Sequence, residues 1–442
     1  MRQWTLLRRQ FGADTTFVMH ESQPEIAIRF YPELTMHSRA YRVVSHLDRP
    51  VGRREKLVTN LRLARFRLAC ELRARGLNAI PPLLVRPAEQ RLMDDFMDAD
   101  LVITTGGTYF VEHYDFTSRL FAIETARRLR RPLVFFTQSL GPFTRRDTRS
   151  NVAQAVNGAT LVLLRDERSL GHLRDIGARD DHLHVTADAV FAMADQTALC
   201  AARTRGAFSA ERPDGEGRVA VSVRAWPHFE HMSVDAGMAA YRKAMCAAIT
   251  WLVEQYDARV TLISTCQGVP EYWADDSRTA HQIADMLPPS IRSTVDINEG
   301  FHTPAELAAA LRGFDLAIST RLHTAILALG VGTLVFPVSY EFKTRELFDR
   351  FGVGEYVHDM EGVDADAFVQ TLGNFLHNAA SVRETLFAGV EIERKRAIES
   401  AALVAAALGA GANRLRTSRR MRRVIRRPAT RRRCRWSRCI AR

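Results

Sequence analysis

The sequence reads as an α/β protein made of two doubly wound parallel-sheet domains facing a cleft. Three observations predict this. The chain has 442 residues, more than one core of about 100–200 residues takes up. Short apolar runs alternate with longer amphipathic stretches, as in parallel sheets covered on both faces. A polar, Gly-rich break separates two such series. With 46% hydrophobic and 25% charged residues, the composition is that of a water-soluble globular protein and excludes a collagen, a coiled coil or a disordered chain.

Taken in order, Met1–Gly12 has no apolar leader core or cleavage pattern, so secretion is not expected and a cytoplasmic location is. No window approaches the roughly 18 apolar residues of a membrane span. Next come the short runs Thr15–Met19 and Glu25–Arg29. A doubly wound domain normally opens with a buried strand, a tight Gly turn and a helix; none is legible, so an opening unit is expected to be missing.

The first series then supplies strands at Leu101–Thr105, Leu133–Thr137, Leu161–Leu164 and Leu183–Thr186, with helices at Ser118–Leu129 and Glu167–Ile176 between them. Residues 203–217 read as the linker, dividing a domain at 1–202 from one at 218–410. The second series has strands at Val219–Val223, Val260–Ser264, Leu316–Ser319 and Leu334–Val338, a helix over about Gly237–Gln255, and an Ala-rich strap helix at Ser381–Leu408.

Residues 411–442 read as a disordered tail. Arg414–Arg442 holds 14 arginines and no acid, and without them the formal charge of +12 becomes −2. The folded part therefore carries no basic nucleic-acid face, and no specific nucleic-acid partner is expected. The tail's own expectation is an unstructured extension; the functional alternative is an arm for RNA or for anionic lipid, with peripheral contact at the inner face of the cell membrane. Cys70, Cys200, Cys246, Cys266, Cys434 and Cys439 show neither disulfide nor zinc spacing.

Ligands of open α/β sheets bind beyond the carboxyl ends of the strands. There the sequence places Gly106, Gly107 and Thr108, then Gln138 and Gly141, Arg165, and Asp188; in the second domain it places Arg224, Gln267, Ser319, Arg321, His323 and Lys343. Each alone is ordinary turn or cap chemistry, Asp166 included. Together, at so many strand ends, they outrun turn chemistry. Ser319, Arg321 and His323 alternate onto one side of an extended stretch, just where a helix N-terminus begins. A guanidinium, an imidazole and free N–H groups suit a phosphorylated acid that must also receive a proton. His182-x-His184 has no clear third ligand, so no metal is expected; Asp98-x-Asp100 reads as structural, and Asp275-Asp276 as a helix-cap cluster first and a sugar contact second.

The ordered set GGTYF, QSLGPF, LRDERSL, TADAVF, STRLHTAILALGVGT and SYEFK, over about residues 90–350, resembles the polysaccharide pyruvyl transferase family. The resemblance implies two Rossmann-like domains of the glycosyltransferase B type, phosphoenolpyruvate as donor, a glycan or glycolipid acceptor, and no metal or organic cofactor. It implies that Arg224 and Arg321 hold the donor, that His323 is the general acid, and that Glu112 is the acidic residue after the glycines. Two departures stand out: Gly-Gly-Thr replaces three glycines, and the family's opening strand with its Asn-x-Gly-Asp turn has no counterpart. Two rival expectations accompany this one: a nucleotide-sugar-dependent glycosyltransferase or epimerase on the same plan, and a truncated, inactive remnant. Acceptor sugar, ketal stereochemistry and oligomeric state are not written in the sequence.

Overall fold

The computed structural model describes residues 3–47, 52–204, 217–272, 274–422 and 437–441. Fourteen strands occur in chain order: β1 Thr16–Glu21, β2 Thr35–Ser38, β3 Ala99–Thr104, β4 Gly107–Phe110, β5 Leu133–Leu140, β6 Leu161–Leu164, β7 Leu183–Val185, β8 Arg218–Ser222, β9 Arg259–Leu262, β10 Val295–Ile297, β11 Leu316–Ser319, β12 Leu334–Ser339, β13 His358–Asp359 and β14 Ser437–Ala441. They form two all-parallel sheets, one in each of two compact units.

The first unit spans Arg2–Ala189 and takes up Ile398–Arg442 as well. Its sheet runs β2-β1-β14-β3-β5-β6-β7, with β4 paired to β5. The middle strands open on or contain apolar runs because helices cover both faces; all eight residues of β5 are buried. Phe66, Phe110, Phe121 and Phe135 fill one face of this core. Asp166 caps the helix Glu167–Asp175, as the sequence suggested, by accepting the Ser169 N–H at 2.7 Å.

The centre of this sheet is completed from the far end of the chain. β14 lies between β1 and β3, with Phe17 opposite Arg438 and Cys439 opposite Val102. That is the central slot, which the first strand of a doubly wound sheet ordinarily fills. The expectation of a disordered tail is thereby corrected for the described part: backbone hydrogen bonding, which is indifferent to arginine content, recruits 437–441 into the sheet, and the strap helix continues over Ala379–Arg422. Residues 423–436 of that tail lie outside the described residues.

The second unit, Val190–Ala397, has sheet order β10-β9-β8-β11-β12-β13, in which the winding reverses between β8 and β11. Phe336 of β12 packs edge-on against Phe368 and Phe375 at 5.3 and 5.2 Å. The helix Gln196–Arg203, assigned from sequence to the first domain, belongs here, and the units divide at Ala189 rather than in the polar break. Small residues explain the placement: Ala198 and Ala202 lie against Gly332, where any Cβ would meet Ala202 at 2.6 Å. Asp195 caps that helix and pairs with Arg312 at 2.6 Å. Residues 205–216, most of the expected linker, lie outside the described residues.

Candidate functional site

In the second unit, the switch point between β8 and β11 brings together Arg224, Ser319, Arg321 and His323 from among the residues that the sequence singles out. Ser222 and Ser319 are register partners at the ends of these strands. The chain beyond them carries Arg224 on one side and Arg321 and His323 on the other.

Arg224 is buried, at 4% exposure. Its guanidinium carbon lies 3.8 Å from the Tyr340 ring centroid and 4.7 Å from that of Trp226. The Nε donates to the Ala225 carbonyl at 3.1 Å. Among the described residues no carboxylate pairs with it. The two rings, 4.8 Å apart, supply attraction to the cation without neutralising its charge.

Arg321 is held differently. Its Nε and Nη2 grip both oxygens of Asp276 at 2.8 and 2.5 Å, and Asp276 is 2% exposed. Asp276 also accepts the Ser264 hydroxyl at 2.5 Å, and Ser264 lies 3.0 Å from the Ser222 hydroxyl, so a polar seam crosses the strand ends. Asp275, not Asp276, does the helix capping, by accepting the Ser277 N–H. The sequence reading treated the two aspartates as one cap cluster; their alternation puts one outside the helix and one inside, against the arginine.

Arg321 is itself the N-cap of the helix Leu322–Gly330, without side-chain capping. The first N–H groups of that helix have no partner within it, and His323, exposed, sits in its first turn. Ser319 donates its hydroxyl to the Arg321 carbonyl at 2.9 Å and so fixes the turn. Gln267 is likewise a brace: its carbonyl oxygen accepts the Ser264 N–H at 2.7 Å and its amide donates to Asn298 and Gly300. Beside it, Gly268 has φ +74°, and a Cβ there would meet the Phe301 nitrogen at 2.2 Å, so only glycine fits. Lys343 pairs with Glu341 and lies 4.8 Å from the Tyr340 centroid, which puts Tyr340 within reach of two cations. Trp226 is the site residue that carries no signal in the sequence; Tyr340 is legible within the SYEFK segment, and Asp276 is legible as a polar helix start but not as the partner of Arg321.

The first unit gathers the remaining candidates. Arg165, 5% exposed, donates from Nη1 to Asp188 at 2.5 Å, from Nε to Ser139 at 2.7 Å and from Nη2 to Thr108 at 2.5 Å. Ser139 in turn donates to Asp166 at 2.5 Å. The Gln138 side-chain amide donates to the Thr105 carbonyl at 2.6 Å, and the Gln138 backbone carbonyl accepts the Arg165 backbone N–H. Gly106 lies between β3 and β4, and Gly107 takes φ +143°, where a Cβ would meet the Tyr109 ring at 2.4 Å. The Gly141 N–H donates to the Phe110 carbonyl at 2.8 Å.

Glu112 stands outside this network. It accepts the Thr144 hydroxyl and, at 2.9 Å, the Arg145 N–H, just ahead of the helix Arg146–Asn157. Partial burial would raise its pKa, but these bonds outweigh it and hold the carboxyl below its ordinary range. The His182 and His184 pair is not a ligand set in this structure: His182 spends Nε2 on the Val156 carbonyl at 2.9 Å and faces Asp181 with Nδ1. No helix among the described residues is long and apolar enough to cross a membrane.

Comparison with known proteins identifies the family and the fold. The polysaccharide pyruvyl transferase family model matches residues 4–341. Amylovoran biosynthesis protein AmsJ of Erwinia amylovora is 25% identical over 323 residues, 72% of this chain and 76% of that one. A UDP-forming α,α-trehalose-phosphate synthase from Burkholderia xenovorans superposes with a TM-score of 0.51 at 11% identity, covering 89% of this chain and 98% of its own. Anabaena HepE in complex with UDP gives 0.50 at 12%, covering 90% and 99%. At such identities the likeness is of fold: two Rossmann-like units of the glycosyltransferase B type.

Proposed function

The chain belongs to the polysaccharide pyruvyl transferase family, and on that premise we propose that it moves the pyruvyl group of phosphoenolpyruvate onto two hydroxyls of a cell-envelope glycan or glycolipid as a ketal. The family and the AmsJ relative support a role in exopolysaccharide biosynthesis. The donor rests on one observation: at the β8/β11 switch point a buried arginine without a carboxylate partner accompanies a helix N-terminus whose first turn carries a histidine.

Phosphoenolpyruvate is a small polyanion with an electron-rich methylene carbon. Arg224 and the N–H groups after Arg321 bind its phosphate and carboxylate. His323, as imidazolium, protonates the methylene while a sugar hydroxyl adds to the neighbouring carbon and gives up its proton. Phosphate then leaves, and a second hydroxyl of the same sugar adds in its place, closing the ketal with loss of its proton. As written, the reaction calls on no metal or organic cofactor, and a cytoplasmic setting at the inner membrane face supplies both substrates.

The test is incubation of the full chain with phosphoenolpyruvate and a panel of envelope glycans and lipid-linked precursors. Stoichiometric phosphate release with a gain of one ketal-linked pyruvate is expected. A folded protein that releases no phosphate with any of them, and whose melting temperature is raised by UDP but not by phosphoenolpyruvate, would instead carry out nucleotide-sugar transfer.

A further inference from the structure

His20, His37 and Asp95 form, among the described residues, the one group of three or more His, Cys, Asp or Glu side chains placed to share a metal ion, with donor atoms all within 4.8 Å of one another. All three belong to the first unit. The sheet makes the meeting: His20 of β1 and His37 of β2 are register partners, so both side chains leave the same face, and the helix Pro87–Asp98 brings Asp95 over them. No spacing motif announces the pair, because the histidines are 17 residues apart and join only through strand pairing.

The protonation geometry is unusual. His20 is 1% exposed, and its Nδ1 lies 3.2 Å from the Ser38 carbonyl. A carbonyl only accepts, so Nδ1 carries the proton, and in the neutral ring the lone pair is on Nε2. That Nε2 is buried without a hydrogen-bond partner, and it faces Asp95 Oδ2 at 3.6 Å, beyond hydrogen-bond range. Two electron-pair donors thus point at one another inside the protein, an arrangement that costs free energy unless a cation joins them. His37 Nδ1 approaches the same carboxylate at 2.7 Å.

We propose that His20 Nε2, His37 Nδ1 and one oxygen of Asp95 bind a divalent transition-metal ion of the zinc class. Tetrahedral zinc with bonds of about 2.0–2.1 Å sets its ligands roughly 3.3 Å apart, and the observed separations of 2.7 and 3.6 Å bracket that edge. The Ser38 carbonyl fixes the His20 tautomer, as outer partners of metal-bound imidazoles do. The side chains of His37 and Asp95 are 43% and 18% exposed, which gives the ion an approach and leaves its fourth position to water. Binding moves the His37 ring proton from Nδ1 to Nε2, and it ties β1, β2 and the covering helix together.

The experiment uses the full chain, stripped with a chelator and titrated with zinc sulfate against a chromophoric competitor, with X-ray absorption on the loaded sample. One zinc per chain at micromolar affinity or tighter is expected, with an all N/O shell containing two imidazoles and a melting temperature raised by about 5 °C. His37→Ala and Asp95→Asn should each weaken binding about 100-fold. Asp95→Asn has a second readout: an amide nitrogen in the place of Oδ2 can donate one N–H to His20 Nε2 and the other to His37 Nδ1, with the His37 ring proton moving to its Nε2. The zinc-free variant should therefore melt above the zinc-free wild type, and zinc should raise it no further. Absence of stoichiometric binding, or zinc that persists in both variants, overturns the site. So does an Asp95→Asn protein that melts below the zinc-free wild type, because His20 would then hold its proton on Nε2 for the carboxylate.

Discussion

Arg165 and Arg224 occupy matching places in the two units, each just past the end of a parallel strand and each about 95% buried, yet they are different chemical objects. Arg165 spends all three guanidinium nitrogens on Asp188, Ser139 and Thr108. Arg224 has aromatic rings and one backbone carbonyl. Burial of a cation is costly wherever it occurs; what differs is whether the protein offsets the charge itself or leaves that to a ligand. A strand-end arginine thus reports function through its partners, not through its burial or position. Arg321 is intermediate, since its fork is committed to Asp276 while its backbone opens the helix Leu322–Gly330.

Four substitutions probe this contrast. The largest effect belongs to His323→Ala, which should lower kcat by about 10²–10⁴-fold, as loss of a proton donor does. Phosphoenolpyruvate affinity by calorimetry and the melting temperature should hardly move. A variant with normal kcat would make the imidazole a bystander and leave only anion binding to the second unit. Arg165→Met should strand Asp188 as a buried carboxylate and cost about 3–5 kcal/mol in denaturant unfolding. Equal stability there would mean that the Arg165 network is not a scaffold, and the contrast would collapse from its other side.

Arg224→Met comes next. It should reduce kcat/KM for phosphoenolpyruvate by about 100-fold through a weaker donor complex, while melting within about 2 °C of the wild type. A large stability loss without a kinetic one would make Arg224 a second Arg165. Smallest is Glu112→Gln. The folded pKa of Glu112 lies below its unfolded value, so its contribution is present above the unfolded pKa and fades as pH falls through the folded one. With a group this open to solvent, the variant should lose only a few tenths of a kcal/mol at pH 7, and unfolding curves at pH 3 should coincide.

Much of this was legible because the strands of covered parallel sheets are nearly pure apolar runs. Leu161–Leu164 and Leu316–Ser319 have the same bounds in sequence and structure. β2 escaped notice because Thr-Met-His-Ser is polar and only half-buried. β14 was hidden by arginines whose charge says nothing about backbone pairing. Within the site, Arg224, Arg321 and His323 follow directly from strand ends. Asp276, Trp226 and Tyr340 become partners only through loops whose paths one sequence does not reveal, and His20 meets His37 only through register.

The place of β14 bears on the order in which the molecule is made. β3 waits for a partner roughly 330 residues further along the chain, and such distant pairings are slow to form. The whole of Val190–Ala397 leaves the ribosome before that partner does. During synthesis the first sheet therefore exists as two fragments, β1 with β2 and β3 with its neighbours, each showing an open edge where β14 will be inserted. The second unit can finish folding early, and the seam of the first is the last stitch.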